Sequence, residues 1–411
     1  MNLTKIMEKS TTSTGHSRVR YLNLNDYNKS MQIITKLRER KDHFMMTIYK
    51  EYRKNLDISI GDIIILNLNN YEVIRKIKKD FHISLPKSLL KNEGNGNKIK
   101  LFILQISKIG NCFKRPKSMV KNNKIDIRHF IPKKTIFNHP IYIIGRNKGY
   151  SSVWYPIGGG AGHINLKNHI NIEKVAELIG FYFGDGSTSE GIRSFRLTNC
   201  EPSILNHCLD ILGEIGIPRN RFKIQIIYST DKELTESIKS KCINFWSKTL
   251  KINKVVSVLK SKNVKETLEY GSARIFVDSA VLVEVVLHGL LKDILIRITN
   301  PKNIADKILL KGFIRGLLAA EGGIYLNKNG SVVKIGISYD PHSDELELYK
   351  KLLQNLNINY GGTKGNEFYV YGYNNIKKLY EIDAFKMHKS RNQKFVNGIL
   401  NHRFFKTSLS K

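Results

Sequence analysis

Two short segments of this chain repeat one order of small residues, acid and glycine: GFYFGDG at 180–186 and GLLAAEG at 316–322. In the first, Gly180 and Gly184 lie four apart; in the second, Gly316 and Ala320 do. On a helix that spacing puts both small residues on one face and strips it of side chains. Two such faces can meet backbone to backbone, so the repeat predicts a pair of helices in close contact. Asp185 and Glu321 come next, then Gly186 and Gly322, which are expected as left-handed caps. If the helices run parallel, the two carboxylates sit side by side at the foot of the pair.

The segments belong to a longer internal repeat, with one copy at 173–217 and another at 306–358. Each reads as an apolar helix, an acid and glycine, a hairpin and an amphipathic helix. Ile204, Leu205, Cys208, Leu209, Ile211 and Leu212 follow helical spacing in the first copy. Leu346, Leu348, Tyr349, Leu352, Leu353 and Leu356 do so in the second. Strands and a last helix follow in both, giving two αββαββα units in one chain.

A carboxylate at a helix C-terminus faces the negative end of the macrodipole, at a cost of about 0.3–1 kcal/mol. A second carboxylate nearby adds repulsion. A divalent cation removes both penalties, and Mg²⁺ suits the setting because it takes one or two carboxylates and completes its shell with water and phosphate oxygens. Mn²⁺ is its natural substitute. Paired carboxylates holding metal against a phosphate point to phosphodiester hydrolysis. Either segment alone also reads as an ordinary buried helix ending in a solvent-facing acid; the second occurrence argues against that.

The charge balance names the partner. The 411 residues carry 68 Lys and Arg against 35 Asp and Glu, a formal net charge of +33. Such an excess opposes compaction unless a polyanion supplies the counter-charge, so nucleic acid is the expected partner. An AT-rich coding sequence accounts for some of the lysine, isoleucine and asparagine, but not for so few acids. Four scattered cysteines, Cys112, Cys200, Cys208 and Cys242, fit neither a zinc ribbon nor a disulfide framework. No long apolar run or signal-peptide core is present, which predicts a soluble chain without membrane contact, in a nucleoid-associated cytoplasmic setting or an organellar matrix.

Along the chain, residues 1–40 read as a flexible basic arm and 41–153 as a small, mostly-β basic domain with a basic loop at 113–124. Residues 154–170 read as a linker, 171–300 as the first repeat and 301–411 as the second. The glycines of WYPIGGGAGHINLKN, 154–168, lack the Gly-Lys-Ser/Thr that a phosphate-binding loop needs.

LIGFYFGDG (178–186) and IRGLLAAEG (314–322) resemble the two signature helices of single-chain LAGLIDADG homing endonucleases. The resemblance covers roughly residues 170–400. It implies an α+β fold in which two pseudo-symmetric units carry curved sheets that sit as saddles in the major groove of double-stranded DNA, in a monomer that acts as a pseudo-dimer. It implies Asp185 and Glu321 as metal-binding, catalytic acids, with the carbonyls of Gly184 and Ala320 as further ligands. The segments 195–199, 222–229, 256–262, 274–279, 334–339 and 368–373 would supply the saddles. Arg196, Lys223, Gln225, Lys260, Arg274, Lys334 and Tyr371 would face the DNA. The basic residue expected near the scissile phosphate is Lys260 or Lys262 in the first copy and Lys389 in the second. Glu321 departs from the commoner aspartate. Phe183 and Ala319 hold the usually variable position, and the 136-position gap from one acid to the other implies an extended first unit around 231–250. The implied activity is site-specific, Mg²⁺-dependent cleavage of duplex DNA. A maturase that binds intron RNA and a non-cleaving DNA-binding regulator are the alternatives on the same fold.

Overall fold

The computed structural model describes residues 20–23, 31–41, 43–56, 58–68, 71–86, 98–107, 120–121, 123–135, 138–146, 149–156, 163–188, 194–262 and 268–402. Most of the basic loop at 113–124 lies outside them.

The helices Ile172–Asp185 and Ile304–Glu321 form the centre of the molecule. Each starts at an asparagine whose side chain accepts from backbone amides of the first turn: Asn171 from Glu173 and Lys174, Asn303 from Asp306. They run parallel and in matched register. A Cβ at Gly316 would lie 2.1 Å from the Glu177 carbonyl oxygen, and one at Gly180 would lie 2.1 Å from that of Phe313. Gly184 faces Ala320, and Gly312 faces Ala176, one turn beyond the stripe read from the sequence. The expected left-handed caps are not formed. Gly186 and Gly322 are extended, with φ of −83° and −80°. They enter the next strand directly, and their missing side chain matters for room, since a Cβ at Gly186 would lie 2.1 Å from the Tyr182 carbonyl oxygen.

Each seam helix leads into a sheet. The first has five strands in the order Gly186–Thr188, Ser194–Asn199, Ser272–Asp278, Lys223–Ser229, Val255–Ser261. The second has four, ordered Gly322–Leu326, Val332–Ser338, Glu367–Tyr371, Thr363–Lys364. The extra length of the first unit is the helix Glu236–Leu250, a crossover that lays Val255–Ser261 parallel to Lys223–Ser229 at the sheet edge. One face of each sheet is apolar and buried, with Phe195, Leu197, Ile224, Ile226 and Ile275 in the first and Ile335, Ile337, Phe368 and Val370 in the second. The helices Pro202–Ile215 and Glu345–Asn355 join the same core, and all six spaced residues of the former are buried.

The N-terminal region departs from expectation in two places. The arm expected over 1–40 contains strands: Arg20–Asn23 pairs parallel with Tyr142–Arg146, and Met31–Glu39 is an inner strand of a six-stranded sheet. Of the linker expected over 154–170, residues 154–156 and 163–170 are described, and they are packed structure. Ile164–Lys167 joins Tyr150–Trp154 in a second sheet, which lies between the six-stranded sheet and the seam body. Tyr142, Ile144 and Trp154 pack on Ile63, Ile65 and Ile74 of the six-stranded sheet, while Ile143, Val153, Tyr155, Ile164 and Leu166 enter the main core. Alternation along these strands serves two cores.

The seam also buries charge. Glu177, 1% exposed, accepts from Lys386 at 2.7 Å, His207 at 2.9 Å and Arg315 at 3.2 Å. Arg315 also pairs with Glu173 and donates to the Ile382 carbonyl at 2.6 Å. Burial pushes the Glu177 carboxyl up, but the bonds to His207 and Lys386 outweigh it and hold it below the usual range.

The seam predicts a contrast between two glycines. Gly316→Ala forces a methyl into the Glu177 backbone and should cost about 3 kcal/mol or more. Gly213→Ala meets open space on a helix and should gain about 0.5–1 kcal/mol. Equilibrium urea denaturation of the two variants checks this.

Candidate functional site

Parallel pairing in register brings Asp185 and Glu321 to the same end of the seam. A Cβ at Gly184 would lie 3.3 Å from the Glu321 Oε1, so the second acid reaches directly over the first helix's last turn. Both side chains are half-buried. Burial pushes Asp185 up to about 6, against a 2.8 Å hydrogen bond from Asn199 and the charge of Arg391. Burial pushes Glu321 up to about 7, reinforced by the charges of Asp185 and Glu345 and opposed by Arg391. At neutral pH the pair therefore retains part of a proton, as expected for two carboxylates sharing a desolvated site.

Arg391 is the cation that the structure places here. It lies in the first turn of the helix Lys389–Leu400, where the His388 side chain accepts from its backbone amide. Its guanidinium donates to the carbonyls of Leu318 at 3.3 Å, Ala319 at 2.9 Å and Ala320 at 3.4 Å, capping the end of the second seam helix. Burial lowers its pKa while Asp185 and Glu321 raise it. The basic segment 385–394 did flag this neighbourhood, but through Lys389. Residues two apart on a helix point to different sides, and Lys389 is exposed, its backbone amide near Ser203 at 3.4 Å. Lys262 is also exposed, just past Val255–Ser261, the outer edge strand of the first sheet. Asp185 leads into the opposite edge, roughly 19 Å away at about 4.8 Å per strand. Neither lysine joins the pair.

The metal expected at the pair finds a limited donor set. Among the described residues no group of three or more His, Cys, Asp or Glu side chains is gathered for a metal. Two desolvated carboxylates fit one divalent cation whose shell is otherwise water and phosphate. The Ala320 carbonyl, expected as a further ligand, instead accepts from Arg391. Beside Glu321 opens a cavity of about 390 Å³ lined by Tyr182, Phe183, Gly184, Tyr339, Asp340 and Glu345 among others.

The open face of the first sheet is a hydrogen-bonded polar grid. Arg274 donates to Thr198 at 3.2 Å and Gln225 at 2.9 Å, and Gln225 donates to Ser257 at 3.2 Å. Arg196 and Lys223 flank it, both registered against Phe276, with Lys223 paired to Asp278 at 2.7 Å. Lys260 is on the other side. It is registered with Tyr228 rather than Gln225, and its ammonium donates to the Asp231 carbonyl at 3.0 Å. On the second sheet Lys334 and Tyr371 are directly paired on the open face.

No protein-family model matches this sequence, and no curated protein matches it. Among solved structures the chain is similar to full-length DUF199/WhiA from Thermatoga maritima, at 14% identity and a TM-score of 0.30 over 55% of this chain. It is similar also to the N-terminal LAGLIDADG domain of DUF199/WhiA, at 14% identity and a TM-score of 0.29, over 52% of this chain and 82% of that domain. The chain spans 60% of the length of the full-length DUF199/WhiA structure it matches.

Proposed function

We propose that this chain binds double-stranded DNA through the open face of its first sheet, with the acid seam beside the duplex backbone. The observation that carries the reading is the polar grid of Arg196, Thr198, Gln225 and Arg274 on one face of a sheet whose other face is core. A face of that kind matches base edges in a major groove, and the net charge of +33 supplies the backbone attraction. Both sheets begin at the residue after an acid, so the acids lie between the two surfaces. Arg391 and a partly retained proton offset some of the paired charge near neutral pH. Binding without cleavage is therefore the reading favoured here.

Phosphodiester hydrolysis is the second reading, and the desolvated acid pair supports it. Asp185 and Glu321 would hold a Mg²⁺ or Mn²⁺ ion, whose chemistry is to polarise a phosphate and lower the pKa of water. Arg391, at the same spot, would add positive charge beside the phosphate.

Two measurements separate these readings. In binding assays on duplex DNA enriched from a random library, Arg274→Ala should weaken binding about tenfold. Asp185→Asn and Glu321→Gln should keep or tighten it by removing negative charge near phosphate. Uncut DNA in the presence of Mg²⁺ supports the binder; cleavage that both acid variants lose supports the nuclease. If none of the three variants changes affinity in these directions, the duplex reading fails.

The second measurement is stability against pH. Both carboxyls titrate above their unfolded values of about 4, so the folded chain holds more protons between those values and about 7. Their contribution is fully present below pH 4 and is lost as pH rises through 6 and 7. The melting temperature of the wild type relative to Asp185→Asn and Glu321→Gln should therefore fall from pH 5 to pH 8, a comparison that removes the opposite contribution of His288 and His388, whose pKa values burial lowers. Added Mg²⁺ should restore it at pH 8 but not at pH 5 under the second reading, and at neither pH under the first.

A further inference from the structure

The two sheets offer different chemistry on their open faces. The first presents hydrogen-bonding groups, and its aromatic, Phe276, has the Lys223 ammonium 5.5 Å from its ring centre. The second presents two exposed tyrosines and a lysine around a third tyrosine, Tyr369, that is buried. Register places Tyr325 opposite Lys334, Lys334 opposite Tyr371 and Tyr369 opposite Gly336, all on one face. Tyr325 and Tyr371 are 37% and 42% exposed. The ring centres of Tyr325 and Tyr371 lie 6.0 Å and 5.8 Å from that of Tyr369.

These rings are held in place. The hydroxyls of Tyr325 and Tyr369 both donate to Glu367, at 2.7 and 3.1 Å. Gly336 leaves the room that the Tyr325 ring and the Glu367 carboxylate fill, and the Tyr371 ring lies against Gly361. The Lys334 ammonium sits 3.6 Å from the Tyr369 ring centre and 4.4 Å from that of Tyr325. With its hydroxyl engaged on Glu367 and the Lys334 ammonium 4.4 Å from its ring centre, Tyr325 is held in one orientation and stays 37% exposed. A duplex shows base edges in its grooves and keeps base faces stacked, so an aromatic face gains little from it. Unpaired bases have free faces, and a sheet with aromatics around a lysine suits them.

We propose that the open face of the second sheet, through Tyr325, Tyr371 and Lys334, is a stacking platform for unpaired nucleobases, so that the nucleic acid bound by this chain carries a single-stranded segment beside the duplex read by the first sheet. This rests on the nucleic-acid reading above and names the form of the ligand. Lys334 contacts the strand's phosphates while bases stack on Tyr325 and Tyr371.

The test is fluorescence anisotropy on the full chain at one salt concentration, with three labelled probes of the same 20-nucleotide sequence: single-stranded DNA, single-stranded RNA and blunt duplex DNA. The double variant Tyr325→Ala/Tyr371→Ala should lose at least tenfold in affinity for a single strand, within the range for stacking one to two bases. Its duplex affinity should change less than twofold, which also shows that it folds. Tyr325→Phe/Tyr371→Phe should keep single-strand binding. A loss confined to the ribose or the deoxyribose strand supports the platform and identifies the native strand. Unchanged single-strand binding in the alanine variant overturns the platform, as does a wild-type chain that binds duplex but no single strand; both leave the duplex reading standing. A chain that binds none of the probes overturns both.

Discussion

The structure depends on one contact, the approach of two helix backbones where side chains have been removed. Ala176, Gly180 and Gly184 on one helix meet Gly312, Gly316 and Ala320 on the other, with no room for a methyl at the glycines in the middle. Because that contact is parallel and in register, the next residue on each helix is carried to the same end. The close placement of Asp185 and Glu321 follows from the seam, and so do their raised pKa values. The glycine after each acid starts a sheet, so the seam also fixes where the two open faces lie relative to the acids.

The two halves are not interchangeable, and the seam shows why. Glu173 and Glu177 come from the first helix, Arg315 from the second and Lys386 from the segment before the last helix. A buried ion cluster adds little net stability against apolar packing, but removing a partner leaves uncompensated charge. First helix against first helix would bury four carboxylates together, and the observed pairing matches opposite charges instead. The same asymmetry extends outward. Arg391 serves both acids from the second half alone, and the two sheets carry polar and aromatic surfaces respectively.

The seam, the acids and six of the nine strands in the two sheets were legible because each has a local signature: small residues four apart, an acid at the end of an apolar run, and alternation along short segments; the short strands Gly186–Thr188, Gly322–Leu326 and Thr363–Lys364 were not named. Tertiary facts were not. Gly186 and Gly322 looked like helix caps because glycine permits a left-handed turn, whereas here glycine avoids a backbone collision. Lys260 looked like a groove contact because it is basic and on a strand, yet register turned it to the opposite face. Arg391 was missed beside Lys389 because only the helix start decides which of the two faces the acids. Tyr142 and Trp154 lie in strands that serve two cores, and local alternation does not say which core a side chain enters.

The shared acid site is the claim on which the account of the seam rests, and carboxyl titration by ¹³C NMR tests it directly. With both carboxyls labelled, the account predicts that Asp185 and Glu321 titrate well above the usual carboxylate range, near 6 and 7. It also predicts that Asp185→Asn moves the Glu321 titration downward, because one source of its shift is the neighbouring charge. Ordinary titrations near pH 4, or a Glu321 curve indifferent to Asp185→Asn, would contradict it.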